Sequence, residues 1–298
     1  NMGHEMIAFT HYYIVENGES FYLHAGESVP IEDFEVPRVR HNFKETSDDK
    51  AAWDSLMKAI AEGISSGEMT KVVSSREVEF TSDTPYNVAS ILANLVDNNP
   101  NCFIFGYEKD GRTFVGASPE ILVRHRGSEI LSYALAGTAP KHGPNAWTKA
   151  QLLTDKKNLF EHNIVRDRIV HTMKTVTPDV TVGETGIMEL AHLYHLRTII
   201  TAKDSTKSLV EWARLLHPTP ALGGEPREKA LALLQTYETH ERGMYAAPFG
   251  FMKDMGDGII VVAIRSALIM DHVLYAYAGC GVVADSDADE EYAETNNK

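Results

Sequence analysis

Cys102-Phe103-Ile104-Phe105-Gly106-Tyr107-Glu108, Thr113-Phe114-Val115-Gly116-Ala117, Ile121-Leu122-Val123-Arg124-His125 and Ile130-Leu131-Ser132-Tyr133-Ala134-Leu135 follow one another with little chain between them. Two of the links are Lys109-Asp110-Gly111-Arg112 and Arg126-Gly127-Ser128. Short runs rich in aromatic and branched apolar residues, bounded by Gly and Asp, read as strands. Links this short permit antiparallel pairing and are too short for a parallel crossover. Outward from this block, the spacing of Trp53, Leu56, Met57, Ile60 and Ile64 predicts a helix over 48–65, capped by Asp48 or Asp49 and ended at Gly67. A strand over 71–80, a helix over 87–96, a long helix over 147–175 and a strand-rich stretch over 189–202 follow. Helices over 208–216 and 227–237 precede strands at 249–253 and 259–268, which flank Asp254-Met255-Gly256-Asp257-Gly258. Clustered strands joined by hairpin links, with helices outside that alternation, define an α+β fold of large, mainly antiparallel sheets with flanking helices.

The chain has 298 residues, 43% of them hydrophobic, enough for a sizeable core. No linker or low-complexity run divides it, so one domain is expected over 1–298, with 1–50 a partial N-terminal subregion and 51–298 the catalytic core. Forty-two acidic against 28 basic residues give a formal charge of −14, unsuited to tracking a phosphate backbone, so nucleic acid is not an expected partner. Cys102 and Cys280 lie far apart without C-x-x-C spacing, which fits a reducing, cytoplasmic setting. No apolar run approaches the ~20 residues a membrane span needs, so no membrane insertion is expected. Oligomeric state is not encoded in any feature of the sequence.

Several groups could carry chemistry. Glu291, Glu294 and Lys298 are spaced i, i+3, i+7 and share one face if their segment is helical. Mg2+ takes oxygen ligands and commonly only one or two protein carboxylates. Asn158 and Glu161 share a face of the long helix, and Glu161 would complete a two-glutamate site with Glu294. Read alone, each acidic face is an ordinary solvated surface. His162 and His192 lack the spacing of a zinc pair. Lys71 opens a strand and, with its ammonium in a closed cleft, would lose charge by desolvation and become a general base. Glu120, in Gly116-Ala117-Ser118-Pro119-Glu120, would be kept protonated by an apolar cleft and serve as a general acid. Gly137-Thr138 offers an unobstructed amide and a hydroxyl. Val261-Val262-Ala263-Ile264-Arg265-Ser266-Ala267-Leu268 places Arg265 on an apolar strand, and Tyr275-Ala276-Tyr277-Ala278-Gly279-Cys280-Gly281 ends a second strand in small residues. Neither a phosphate loop nor a dinucleotide fingerprint is present.

The order of these motifs is more specific than any one of them. Lys71-Val72-Val73, Gly116-Ala117-Ser118-Pro119-Glu120, Leu135-Ala136-Gly137-Thr138, Glu161-His162, His192-Leu193, His217-Pro218-Thr219-Pro220, Ile264-Arg265-Ser266-Ala267 and Glu294-Thr295 occur in sequence from about Trp53 to Lys298. In this the chain resembles the chorismate-utilising enzymes: isochorismate, salicylate, anthranilate and aminodeoxychorismate synthases. The resemblance implies the chorismate-binding fold of anthranilate synthase component I. It also implies that Lys71 activates water, where anthranilate synthases carry glutamine and use ammonia. The expectation is a magnesium-dependent isochorismate synthase that converts chorismate to isochorismate, an intramolecular hydroxyl transfer. Leu193-Tyr194, Leu222-Gly223-Gly224 and Ala278-Gly279-Cys280-Gly281 look most like the menaquinone-pathway enzymes. A siderophore-pathway isochorismate synthase, a salicylate synthase, or a truncated inactive chorismate-binding module are the alternatives.

The resemblance also distributes roles. Glu161 and Glu294 hold Mg2+, with Asn158 and Glu291 as outer partners. Lys71 deprotonates the water that attacks C2, and Glu120 protonates the departing C4 hydroxyl. Arg265 and Tyr245 hold the enolpyruvyl carboxylate. Gly137, Thr138, Gly279 and Lys298 contact the substrate around its carboxylates, and His192 supports a ring substituent. The chain departs from the family pattern at Ser74-Ser75, Ala247 and Asn296-Asn297, and is expected to lack much of the family's N-terminal segment.

Overall fold

The computed structural model describes residues 38–298 apart from 48, 254 and 255, together with the strand backbones Glu5–Met6, His11–Glu16, Glu19–His24 and Val29–Pro30. Two seven-stranded sheets dominate. The first runs Gly224–Glu225, Lys71–Ser82, Val273–Val282, Ser266–Met270, Arg112–Ser118, Phe103–Lys109, with Phe43–Glu45 also pairing to Lys71–Ser82. The second runs Val180–Val182, Leu193–Lys203, Glu129–Pro140, Ile121–Arg126, Gly258–Val262, Pro248–Met252, with Gly186–Glu189 also against Leu193–Lys203. The pairings within both sheets are antiparallel, as the hairpin links require.

The four opening strands divide between these sheets. Phe103–Lys109 and Arg112–Ser118 form a hairpin of the first, Ile121–Arg126 and Glu129–Pro140 one of the second. The chain changes sheet at Ser118-Pro119-Glu120, where Pro119 has no N–H to continue a ladder. After an intermediate visit to the first sheet at Gly224–Glu225, it crosses from the second sheet to the first again between Val262 and Ser266. The two corners lie side by side and are stitched together. The Ser118 hydroxyl donates to the Val262 carbonyl at 2.6 Å. Val262 N–H donates to the Glu120 carbonyl at 3.0 Å, and Ala117 N–H to the Arg265 carbonyl at 3.0 Å.

This corrects the reading of 259–268 as one strand. Gly258–Val262 belongs to the second sheet and Ser266–Met270 to the first, and Arg265 sits at the corner with φ +53° rather than on a strand. Both halves are apolar because both pack in sheets, so no turn composition marks the switch. The long helix over 147–175 also divides, into Lys149–Thr154 and Lys156–Lys174. Asp155 between them is extended, and its carboxylate accepts from Asn158 N–H at 2.8 Å, capping the second helix.

Helices cover the outer faces. Lys50–Ser65 buries Trp53, Leu56, Met57 and Ile60, one helical stripe, against Val72, Cys280 and Val282 of the first sheet and Ala230 and Leu234 of Arg227–Tyr237. Asp49 precedes this helix without making a side-chain cap; its carboxylate accepts from Arg76 instead, and Asp48 lies outside the described residues. Lys156–Lys174 turns Val165, Ile169 and Met173 into the core against the second sheet. Among the described residues no helix is long and apolar enough to cross a membrane.

Candidate active site

A cavity opens between the sheets at their paired corners, and its walls include Glu120, Glu161, His195, Tyr245, Arg265 and Lys298. Lys71 lies just behind this wall. As the first residue of Lys71–Ser82 it reads as a strand end facing water, yet it is 0% exposed, because Gly224–Glu225 adds a further strand beyond it. Its Nζ stands 3.0 Å from Glu161 Oε1, close enough for an ion pair but without hydrogen-bond geometry. The other Glu161 oxygen accepts from Gly137 N–H at 3.1 Å.

Two glycines make this arrangement possible. Gly137 has φ +80° at a register shift between Ala136 and Thr138, which turns its amide out of the ladder toward Glu161. The Asn158 side-chain carbonyl accepts from Thr138 N–H at 2.9 Å and holds the irregularity from the helix side. Gly281 matters for space: a Cβ there would stand 2.0 Å from Glu161 Oε1 and 2.7 Å from Lys71 Cε. Gly281→Ala is therefore expected to drive Lys71 and Glu161 apart and lower turnover about 100-fold while the fold survives. Turnover measured beside a thermal melt checks this, and an unchanged rate would show that the pair is not needed as built.

Glu120 is 2% exposed, and its Oε1 has no hydrogen-bond partner. Burial pushes its carboxyl up to about 8, against the opposing pull of the Lys71 charge. It is therefore a protonated acid at neutral pH, facing a cavity with buried Lys71 just behind its wall.

Arg265 is half-buried, and its Nη2 donates to His195 Nε2 at 2.8 Å. Because arginine only donates, His195 Nε2 must accept and the ring proton sits on Nδ1, 3.0 Å from the Thr138 hydroxyl. Burial, then the Arg265 and Lys298 charges, hold His195 well below the usual imidazole range, so it is neutral. Arg265 thus carries a half-buried charge at the cavity wall, with no carboxylate salt bridge to it among the described residues. Tyr245 stacks on Tyr277 at 5.4 Å, and its hydroxyl lies beside Gly279, where a Cβ would approach it to 2.7 Å.

His192 requires correction. It is exposed in the turn before Leu193–Lys203 and faces His142, whereas His195 reaches the cavity. His-Leu occurs twice, at 192–193 and 195–196, and only the pairing of His195 opposite Thr138 decides between them.

The last helix, Ala288–Asn296, brings the remaining carboxylates. Lys298 Nζ lies 2.6 Å from Glu294 Oε1 and donates to the Gly279 carbonyl at 2.7 Å. Glu291 is buried, with Oε1 accepting from Lys157 Nζ at 2.7 Å. Burial holds the Glu294 carboxyl above its usual range; Lys298 opposes this, and the Glu291 and Glu161 charges add to it. Among the described residues no group of three or more His, Cys, Asp or Glu side chains is arranged to hold a metal ion. Mg2+ needs fewer, taking one or two carboxylates and completing its shell with water and ligand. Glu161 and Glu294, near enough to repel one another, are a hard-oxygen donor set of that kind. Sequence reading missed His195, Gly281, Lys157 and Arg242. Arg242 binds Glu238 at 2.8 and 2.6 Å and the Leu222 and Val73 carbonyls at 2.7 and 2.8 Å, fixing the wall next to Lys71.

Comparison with known proteins identifies this arrangement. Residues 25–298 match the family described as chorismate binding enzyme. The isochorismate synthase MenF of Bacillus subtilis (strain 168) is 36% identical over 256 residues, covering 84% of this chain and 54% of that protein. The salicylate biosynthesis isochorismate synthase of Pseudomonas aeruginosa is 33% identical over 84% of this chain and 53% of its own length. The chain thus spans about half the length of these curated relatives. The solved structure of MenF, the menaquinone-specific isochorismate synthase from Escherichia coli, superposes with a TM-score of 0.80 at 27% identity, covering 93% of this chain and 69% of that one. With its antiparallel sheets, its flanking helices and a family match over nearly its whole length, the chain belongs to the chorismate binding enzymes.

Proposed function

We propose that this chain is an isochorismate synthase that adds water at C2 of chorismate and expels the C4 hydroxyl, an isomerisation with menaquinone biosynthesis as its setting. The observation that carries the reading is Glu120, a buried carboxyl that stays protonated to about pH 8, unpartnered at Oε1 and within electrostatic reach of buried Lys71. An acid and a base at one cavity are what a hydroxyl exchange across an allylic ring needs. Lys71 is a charged ammonium in its ion pair with Glu161, so it must first give up its own proton to solvent, as it would when a cation replaces it on Glu161; its Nζ, free of hydrogen bonds, then takes the proton of the attacking water. The new C2–O bond forms as the ring double bonds shift, the C4–O bond breaks, and Glu120 gives its proton to the leaving oxygen.

Arg265 supplies the anchor. A half-buried guanidinium facing a neutral imidazole is poorly compensated, and a substrate carboxylate would complete it with charge-assisted hydrogen bonds. Tyr245 and the Gly279 backbone flank that position. Mg2+ held by Glu161 and Glu294 would supply positive charge to the ring carboxylate. In the same proposal residues 51–298 form the catalytic core, and the free thiols of Cys102 and Cys280 fit a reducing cytoplasm. The menaquinone setting draws its support from the higher identity to MenF of Bacillus subtilis than to the salicylate-pathway relative.

Incubation with chorismate and Mg2+ followed by product separation tests the reading. Isochorismate in equilibrium with chorismate is expected. Salicylate with pyruvate would replace it with a salicylate synthase, and anthranilate formed only with ammonia would overturn the role of Lys71. Arg265→Met should raise KM for chorismate about 50-fold with a smaller change in kcat, the cost of one charge-assisted contact. An unchanged KM would remove Arg265 from the carboxylate site.

A further inference from the structure

Glu161, Glu291 and Glu294 each have a lysine of their own. Lys71 Nζ is 3.0 Å from Glu161, Lys157 Nζ 2.7 Å from Glu291 and Lys298 Nζ 2.6 Å from Glu294. The three lysines come from three different elements: the start of Lys71–Ser82, the first turn of Lys156–Lys174, and the end of the chain after Ala288–Asn296. The cluster is thus neutral in the free protein, three positive charges against three negative. Lys157 stands among all three carboxylates: burial works against its charge, and Glu291, Glu294 and Glu161 more than offset it, holding the ammonium above its ordinary range. The remaining charges nearby make the site net positive. Arg265 adds one positive charge beside neutral His195, and Arg242 is matched by Glu238.

A divalent cation entering this site alone brings two uncompensated charges next to Lys71, Lys157, Lys298 and Arg265. Chorismate carries two carboxylates, so cation and substrate together add no net charge. We propose that the three lysines are resident counter-ions that keep the divalent cation out of the free protein, and that cation and dianionic substrate enter as a neutral pair. In this exchange Lys298 leaves Glu294 for a substrate carboxylate. The substrate half rests on the isochorismate synthase reading, whereas the counter-ion half does not. Thermodynamic linkage then makes the effect mutual: each partner strengthens the binding of the other by the same factor.

Calorimetric titration of Mg2+ alone into the full chain reads the counter-ion half. Lys298→Met and Lys157→Met should each bind Mg2+ at least about tenfold more tightly than the wild-type protein, and Lys298→Arg, which keeps the charge, should match wild type. Lys157 is 30% exposed, so its replacement keeps the test alive if Lys298→Met fails to fold. Unchanged or weaker Mg2+ binding in both methionine variants would overturn the proposal, whatever the substrate. The second half is read in Glu120→Gln, where chorismate should bind and turn over about a thousandfold more slowly. Saturating chorismate should tighten Mg2+ about tenfold there, and most of that gain should vanish when Lys298→Met is added. Failure of chorismate to bind, with the Mg2+-only result as expected, would overturn paired entry and the proposed function together and leave the counter-ions standing.

Discussion

Glu120→Gln is expected to lower kcat about a thousandfold with little change in KM. Glutamine keeps the shape and can still donate a hydrogen bond, but it cannot release a proton to the leaving hydroxyl, and general acid catalysis contributes roughly 10²–10⁴-fold. The wild-type rate should also fall as pH rises through about 8, where the carboxyl loses its proton, and that descending limb should be absent in the variant. Stability supplies an independent reading. The folded protein keeps this proton up to about 8, while the unfolded chain releases it near 4.5. Between those values the native state binds more protons, so its stability falls as pH rises and levels off above the folded value. The loss is on the order of 3 kcal/mol by pH 7 and should be missing from Glu120→Gln, whose melting temperature should gain on wild type as pH rises. A constant difference in melting temperature between pH 5 and pH 8 would mean that Glu120 is not a buried acid, and a kcat within tenfold of wild type would remove it from the chemistry.

How far the sequence discloses such a site depends on whether a feature is local. The antiparallel sheets were legible because link length limits strand direction, and the stripe from Trp53 to Ile60 because helical period is a property of neighbours. Arg265 shows the limit. Its corner lies inside an unbroken apolar run, and only long-range pairing of Gly258–Val262 to one sheet and Ser266–Met270 to the other reveals it. The same holds for His195, chosen over His192 by its position opposite Thr138. Asp155 divides a polar stretch with no Gly or Pro to announce it, because its carboxylate replaces the continuing helix with a cap. Lys71 and Glu120 were found as candidates by motif, but their burial was not. It arises from Gly224–Glu225 lying beyond one and Val262 pairing across the corner from the other.

That burial sets the largest effect expected of any single side chain here. Lys71→Met should lower kcat by about 10⁴-fold, more than loss of the acid, because no other base can take over. Lys157 and Lys298, the other ammonium groups near the carboxylates, are held by Glu291 and by Glu294 with the Gly279 carbonyl. His195 has its acceptor nitrogen on Arg265. Methionine fills most of the lysine volume, but removing one partner of a buried ion pair costs up to about 3–5 kcal/mol; Glu161 softens that cost, because it is 14% exposed and keeps its hydrogen bond from Gly137 N–H, and a thermal melt beside the turnover measurement reads it. Chorismate binding should persist, since Arg265 and Tyr245 are untouched. A base that is missing rather than displaced can be supplied from outside, so Lys71→Ala, which leaves space beside Gly281, should regain part of its activity with small primary amines while Lys71→Met should not. Turnover within tenfold of wild type in Lys71→Met would place the base elsewhere. Loss of chorismate binding together with turnover would mean that Lys71 holds the ligand rather than activating water.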